Sequence, residues 1–511
     1  MGSYGILLLP QKIGDKIARV IVFPVYPVCL RLTSAVIKFL DTLLACFRSC
    51  FRRYAAFKWF VVLVIGLMIR SDHLGVTSVV RDLSLNPRSY EKLLHFFRSS
   101  AWSLNELRQA WLRVVFRHAP LCREAGAVIL VGDGVKQAKE ARHMPAVKKL
   151  YQESEDVTKS PFIFGHLWGA VGILIGKSSK TFCLPLLFTL QDGVKTIFGW
   201  DHQPQRQDSH VVQMIDQGFT AANVLGRSLF LLDRYFLSKP ALERLNQRRR
   251  EGNAHLELVT KAKSSCVAYE RPMQTGGRGR PRKKGASVKL YTLFDTRAQS
   301  FKTAVLDLYG RKETVSYYCR DLLWGQGLYQ ELRFVLVHLN GRRSILVSTD
   351  RELDPEVIIR LYARRFTTET TFRVLKQSLG AFAYHFWSRS MPRLNRYRKA
   401  DEPEPIQQVT GSRDRKRIRQ TVKAIEGYMM VSCIALGLLQ LIALRYSKKT
   451  PALFFRYLRT PAKRVASEAT VMAYLRRSIF QRFARNRHLA LTQIIQEKQE
   501  MPASEEVSLI S

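Results

Sequence analysis

The sequence predicts an α/β core, a mixed sheet flanked by helices, interrupted by a mostly β insertion. An all-helical N-terminal domain and a helical C-terminal region complete the expectation. Three observations lead there. Two short apolar runs end on acids, AVILVGD at Asp133 and SLFLLD at Asp233. Buried strands that deliver a carboxylate to the end of a sheet have this form. The stretch YARRFTTETTFRVLK places Tyr362, Arg365, Glu369 and Lys376 at intervals of three, four and seven, as neighbours on one side of a helix. Between Asp233 and Glu369 the pattern turns to period-two runs.

Residues 1–57 mix apolar residues with Lys and Arg around Pro24 and Pro27 and read as a basic, apolar extension. Residues 58–123 read as helical and as a candidate DNA-binding domain. Asn86-Pro87 offers a cap followed by proline, and SLNE at 103–106 fits a capping box. TSVVRDLSLNPRSYEKLLHFFR resembles a helix–turn–helix with Arg88, Lys92 and Arg98 free for phosphates; an ordinary supporting bundle is the other reading. Residues 124–250 hold the first part of the core. After Asp133 come strand-like FIFGHLWGAVGILIG and TFCLPLLFTL, a helix from about Asp208 to Leu225, and the run ending at Asp233.

The β-rich insertion spans 251–343, with HLELVTKAK, SVKLYTLFD, FKTAVLDLYG, ETVSYYCRDLLW and LRFVLVHLN as its strands. Inside it GGRGRPRKKG (276–285) presents Arg278, Arg280 and Arg282. This flat cationic strip suits phosphate contact, and the Arg-Gly-Arg-Pro core also fits a narrow minor groove. The core resumes over 344–446 with the strand SILVSTD and the helix carrying Glu369, and 447–511 form a basic helical region and tail.

Each acid also has a purely structural reading. Asp133 in GDG suits a tight turn, and Asp233 beside Arg234 suits a helix N-cap with a local ion pair. Asp350 competes with Asp233 for the second acid and otherwise caps a helix starting near Leu353. Glu369 has Arg365 and Arg373 within one turn on either side. Taken together, on the expected elements in the expected order, the acids favour catalysis: carboxylates hold metal while cations hold phosphate oxygens.

Composition agrees. Lys and Arg number 82 against 41 Asp and Glu, a formal net charge of +41, which favours a polyanionic partner. A hydrophobic share of 46% over 511 residues allows a sizeable core and several domains. WFVVLVIGLMI (59–69) is too short to span a membrane. GYMMVSCIALGLLQLIAL (427–444) reaches the lower length limit but reads as a buried helix packed on the sheet, with Ser432 and Gln440 diluting it. No secretory signal is recognised. The eight scattered cysteines suit neither a disulfide framework nor a zinc site, and point to a reducing cytoplasm.

The order of three strands, helix, strand, insertion, strand and helix is that of a ribonuclease-H-like core. The chain resembles bacterial insertion-sequence transposases of the DDE class, most of all the insertion-sequence-four group. That group's Tyr-x2-Arg-x3-Glu-x6-Lys signature is met by Tyr362, Arg365, Glu369 and Lys376. GDGVKQAK, the LLDRYF context of Asp233 and the STD run are also similar, and the resemblance covers roughly residues 58 to 446. It implies Asp133, Asp233 and Glu369 as ligands of two Mg²⁺ ions, with Mn²⁺ as a substitute. It also implies Tyr362, Arg365 and Lys376 as groups that grip the DNA end, hydrolysis to a free 3′-hydroxyl, and transfer of that hydroxyl to target DNA. A DNA hairpin intermediate is frequent in the family. Trp324 is a candidate to stack on an unpaired base, with a core position as its alternative. Lys136 and His166 are candidates to face the site, with surface or core positions as theirs. Two element ends acted on together imply a homodimer on DNA, in the cytoplasm at the nucleoid, with no membrane partner. A catalytically silent DNA-binding relic, and a nuclease that cuts without joining, are the rival readings.

Overall fold

The computed structural model describes residues 4–5, 23–24, 27–152, 158, 160–177, 180–200, 208–273, 281–395, 402–446 and 465–499. Five helices come first: α1 (Pro27–Ala45), α2 (Tyr54–Ile69), α3 (Val76–Asp82), α4 (Ser89–Arg98) and α5 (Leu104–His118). Helices thus occupy most of the stretch from residue 58 to His118. Ser103 caps α5, its hydroxyl accepting from the Glu106 N–H at 3.4 Å. The start of α4 lies two residues later than Asn86-Pro87 implies. Asn86 Oδ1 instead accepts from the Arg88 N–H, and two tight turns lead into the helix at Ser89.

The sheet has thirteen strands. Those named here are β1 (Ala127–Ala138), β2 (Lys148–Tyr151), β3 (Phe162–Lys177), β4 (Lys180–Gln191), β5 (Ser228–Leu231) and β6 (Leu256–Ala262). They continue with β7 (Val267–Tyr269), β8 (Ser287–Lys289), β9 (Lys302–Leu308), β10 (Arg311–Trp324), β11 (Gln330–Leu339) and β12 (Arg342–Ser348). Across the sheet the order is β8-β7-β10-β11-β12-β6-β5-β1-β3-β2, with β9 on β10, β4 on β3 and the two-residue strand Arg123–Glu124 on β1. Only β1, β5 and β6 run parallel to one another.

This order corrects one expectation. HLELVTKAK, read as the first strand of the β-rich insertion, instead pairs as β6 in parallel with β5 and belongs to the central sheet. Its apparent alternation comes from Glu257, a buried carboxylate held 2.6 Å from Arg249. The strand SILVSTD, expected in that central place, is β12, antiparallel to β6.

Helices cover both faces. α6 (His210–Leu225) follows β4, and α7 (Lys239–Arg250) follows β5. α8 (Pro355–Arg364) and α9 (Thr367–Gln377) follow β12. The chain closes with α10 (Ser412–Tyr446), α11 (Glu468–Arg485) and α12 (Ala490–Gln496). The apolar half of α10 is enclosed by protein and packs along β4. By length and composition it is the one described helix that could cross a membrane. Each fully buried Leu or Ile along it contributes about 1.5–3 kcal/mol. Gly437 allows the close approach: a Cβ there would stand 2.3 Å from the Trp111 ring. The free edge of β4 is closed by side chains from both neighbouring helices, since Cys183 O accepts from Thr371 Oγ1 and Gln440 Nε2.

Candidate functional site

The parallel register brings the first two acids together. Val131 of β1 lies beside Leu231 of β5, so Asp133 and Asp233, each two residues further on, stand level and share a face. Leu231 in turn lies beside Val259 of β6, which makes Lys261 the third residue of the row. On the opposite face of β1, Gly132 and Gly134 flank Asp133. A Cβ on Gly132 would meet Leu232 and Phe230 at 2.6 Å, and one on Gly134 would meet His210 Nε2 at 2.9 Å. The glycines let β1 press against its neighbours while Asp133 points the other way.

α8 lies over the acids' face. Its Ile358 and Leu361 join Ile129, Val131, Leu229, Leu231 and Val259 in one apolar cluster, with Tyr362 packed at its margin. The C-terminal end of α8 therefore carries Arg365 over the strand ends. Arg365 Nη1 is 3.3 Å from Asp133 Oδ2, and Nη2 is 3.8 Å from Asp233 Oδ1. Its guanidinium also lies 5.9 Å from the centre of the Tyr362 ring.

The signature residues do not occupy one continuous helix, as their spacing suggests. α8 stops at Arg364 and α9 starts at Thr367. The joint is a tightened turn in which Arg365, Thr368 and Glu369 N–H groups donate to Tyr362, Arg365 and Phe366 carbonyls, each three residues back. Glu369 thereby falls in the first turn of α9, exposed, with no ion pair to Arg365 or Arg373 among the described residues. Lys376 is exposed two turns further along.

Electrostatics tie these groups into one site. Burial pushes the Asp133 carboxyl up to about 6, against the pull of Arg365 and the Gly134 N–H, while the charges of Asp233 and Glu369 raise it further. Burial opposes the Arg365 charge, but Asp133, Tyr362, Asp233 and Glu369 more than restore it. The Tyr362 hydroxyl is pushed up to about 12, chiefly by burial, so it stays a neutral donor. Lys261 is shifted down by burial and by Arg234 and Arg365, and back up by Asp233.

The structural alternatives for the acids are not what the side chains do. Asp133 sits in a strand, not a turn. The Asp233 side chain caps nothing, although its backbone precedes a short 3-10 turn. Asp350 lies at the other end of the sheet: it pairs at 3.3 Å with Arg227, which precedes β5, whereas Asp233 follows it. Nor does Asp350 cap the next helix, since Asp354 accepts from the Glu356 N–H to start α8.

The remaining candidates divide. His166 is a core group, between Tyr384 Oη at 2.6 Å and Pro145 O at 2.9 Å, and burial lowers its pKa to about 3. Lys136 is exposed and donates to Tyr151 O. Trp324 takes the core reading, half-buried with its N–H on Cys266 Sγ at 3.2 Å. Arg282 is exposed, whereas Arg278 and Arg280 lie outside the described residues. Sequence reasoning missed Lys261 and His210. His210 starts α6 beside Gly134, its Nδ1 buried without a hydrogen-bond partner.

Among the described residues no three His, Cys, Asp or Glu side chains stand close enough to hold a metal ion together. The donor set still fits one. Asp133 and Asp233 offer hard carboxylate oxygens on one face, and a single guanidinium now supplies the positive charge between them.

A family model described as DDE superfamily endonuclease matches residues 46–321, a span that includes Asp133 and Asp233 and stops before Glu369. No curated protein and no solved structure matches the chain.

Proposed function

The chain belongs to the DDE superfamily endonucleases, and on that premise we propose that it is a transposase of the insertion-sequence-four-like group. It binds the ends of its own element, cleaves them by metal-assisted hydrolysis and joins the freed 3′-hydroxyl to target DNA. The observation that carries this reading is the Arg365 guanidinium placed on both Asp133 and Asp233, three residues brought together from distant parts of the chain.

Asp133, Asp233 and Glu369 are the groups that would hold divalent cations, Mg²⁺ or Mn²⁺. Bound there, the cations supply Lewis-acid polarisation of the scissile phosphate and neutralise the charge that develops on it. The chain's own residues do the positioning. Arg365, once released from the acids, has a planar fork suited to two phosphate oxygens. Tyr362, held neutral, donates a hydrogen bond. Glu369, exposed at the start of α9, would supply the third carboxylate. Transfer is in-line, so no covalent protein intermediate is required. Two ends cut together call for two copies of the chain on the DNA.

The test incubates purified protein with Mg²⁺ and DNA fragments carrying the sequences that flank its own gene, then maps nicks and joined products. Nicks with a 3′-hydroxyl followed by joined strands support a transposase. Nicks without joining point to a nuclease, and binding without nicks to a silent relic.

A further inference from the structure

We infer that a cleft between α4, the segment 382–394 and the start of α10 binds unpaired, single-stranded DNA. The inference rests on the reading of the chain as a DNA-processing enzyme. The cleft encloses about 680 Å³ and is lined by Tyr90, Arg98, His385, Trp387, Arg389 and Arg417.

Between two tight turns, residues 384–389 alternate in burial. Tyr384, Phe386 and Ser388 point inward and are buried, while His385, Trp387 and Arg389 are exposed. The inward residues fix it. The Tyr384 hydroxyl meets His166, and Phe386 packs on Phe97 and Tyr428. Lys139 Nζ donates to Phe382 O and Tyr384 O, and the Ser388 N–H donates to His143 O. Lys139 and His143 follow Asp133 along β1 and its continuation, which puts the cleft beyond the same end of the sheet as the acids.

The outward residues have no structural task that explains them. Trp387 is 50% exposed and Tyr90 39% exposed, although apolar rings of this size gain most from burial. Arg98 Nη2 holds the Trp387 carbonyl at 3.1 Å, which steadies the platform. Among the described residues neither Arg389 nor Arg417 has a carboxylate partner. The first turns of α10 read SRDRKRIR, with one acid among five cations. Cations at a helix N-terminus oppose its dipole, so this charge is kept at some cost to stability. Aromatic faces beside such cations, in a concave site, are what single strands require: bases stack while phosphates lie along the guanidinium groups. A duplex presents phosphates but no base faces, so the aromatics would go unused.

The test measures binding by fluorescence anisotropy of a 5′-fluorescein-labelled oligothymidylate and of a blunt duplex. The full-length protein is compared with Trp387→Ala, Trp387→Phe and the double variant Arg389→Gln/Arg417→Gln. Without one stacked base, oligothymidylate binding should weaken about tenfold or more in Trp387→Ala. Duplex binding should be unchanged, and the Phe variant should recover most of the affinity. The double variant should flatten the salt dependence of oligothymidylate binding. Equal weakening for both DNAs, or no change for either, overturns the single-strand assignment and leaves the endonuclease reading intact. Failure of the wild-type protein to bind either DNA overturns both.

Discussion

The Arg365 guanidinium stands 3.3 Å from the Asp133 carboxylate, though 232 positions separate them in the chain. Asp233 lies on the guanidinium's other side at 3.8 Å. One planar cation thus offsets the repulsion between two acids at the mouth of parallel strands. The same two carboxylates and the same guanidinium are the groups on which the proposed chemistry depends.

Replacing the acids should separate chemistry from binding. Asp133→Asn, Asp233→Asn and Glu369→Gln should each reduce Mg²⁺-dependent nicking about a thousandfold or more, since each removes several kcal/mol of transition-state stabilisation. DNA affinity should change little, because it rests on dispersed phosphate contacts. Asp350→Asn is the control: it breaks the pair with Arg227 at the opposite sheet end and should lower the melting temperature, not the rate. Near wild-type nicking by any of the three acid variants removes that acid from the site.

Arg365→Lys tests whether the fork matters. An ammonium can satisfy Asp133 or Asp233 but not both in the present geometry, and it cannot grip phosphate bidentately. The Lys variant should fold with nearly wild-type stability yet cleave on the order of a hundredfold more slowly, the scale of a misplaced scissile group. Normal strand transfer by this variant would reduce Arg365 to a neutralising charge.

Asp133 predicts a pH dependence of stability in metal-free protein. Its folded pKa, about 6, lies above the ordinary 3.8, so the folded state binds this proton more tightly than the unfolded state. The contribution is full below about pH 4 and is lost as pH rises through about 6. Asp133→Asn should therefore show no advantage at pH 4 and gain up to about 3 kcal/mol over wild type at pH 7 with chelator present. Equal denaturant midpoints at both pH values would show that the Asp133 carboxyl is not raised.

Much of this site was legible because strand ends and helix spacing leave local marks. Apolar runs closing on Asp133 and Asp233 marked two strand ends that the fold brings side by side, and the period of the Tyr362–Lys376 stretch marked the segment whose Arg365 lies against them. The break at Arg365–Phe366 left no mark, since no Gly or Pro interrupts residues 356–377 and the tightened turn arises from packing. β6 was misplaced because a buried, paired Glu257 imitates a solvent-facing residue. Lys261 was passed over because its place beside the acids follows from parallel pairing, which no single run of residues reveals.

The basic loop gives a prediction in salt. Ala at Arg278, Arg280 and Arg282 should weaken binding to all DNA alike. For every phosphate that an arginine no longer neutralises, the slope of log affinity against log salt should fall by roughly 0.9. Selective weakening at AT-rich sites, with GC-rich binding unchanged, would favour minor-groove entry instead.

Lys261 is the residue on which the parallel register commits itself most. It stands level with Asp133 and Asp233 and is half-buried, and its charge is coupled to those of Asp233 and Arg365. On the proposed function, a cation in that row would meet the phosphate next to the scissile one while Arg365 would meet the scissile group itself. Lys261→Gln should leave DNA affinity within about twofold, because one phosphate neutralised among many is a small share. Single-turnover cleavage should nonetheless fall by about tenfold or more, the effect of removing a positioning group. Lys261→Arg should restore most of the rate, since a point charge suffices there. The opposing view is that Lys261 only solvates the end of β6. On that view Lys261→Gln cleaves at the wild-type rate, and its melting temperature is unchanged or higher once a partly buried charge is removed. Measuring the single-turnover rate and melting temperature of both variants side by side decides between the two.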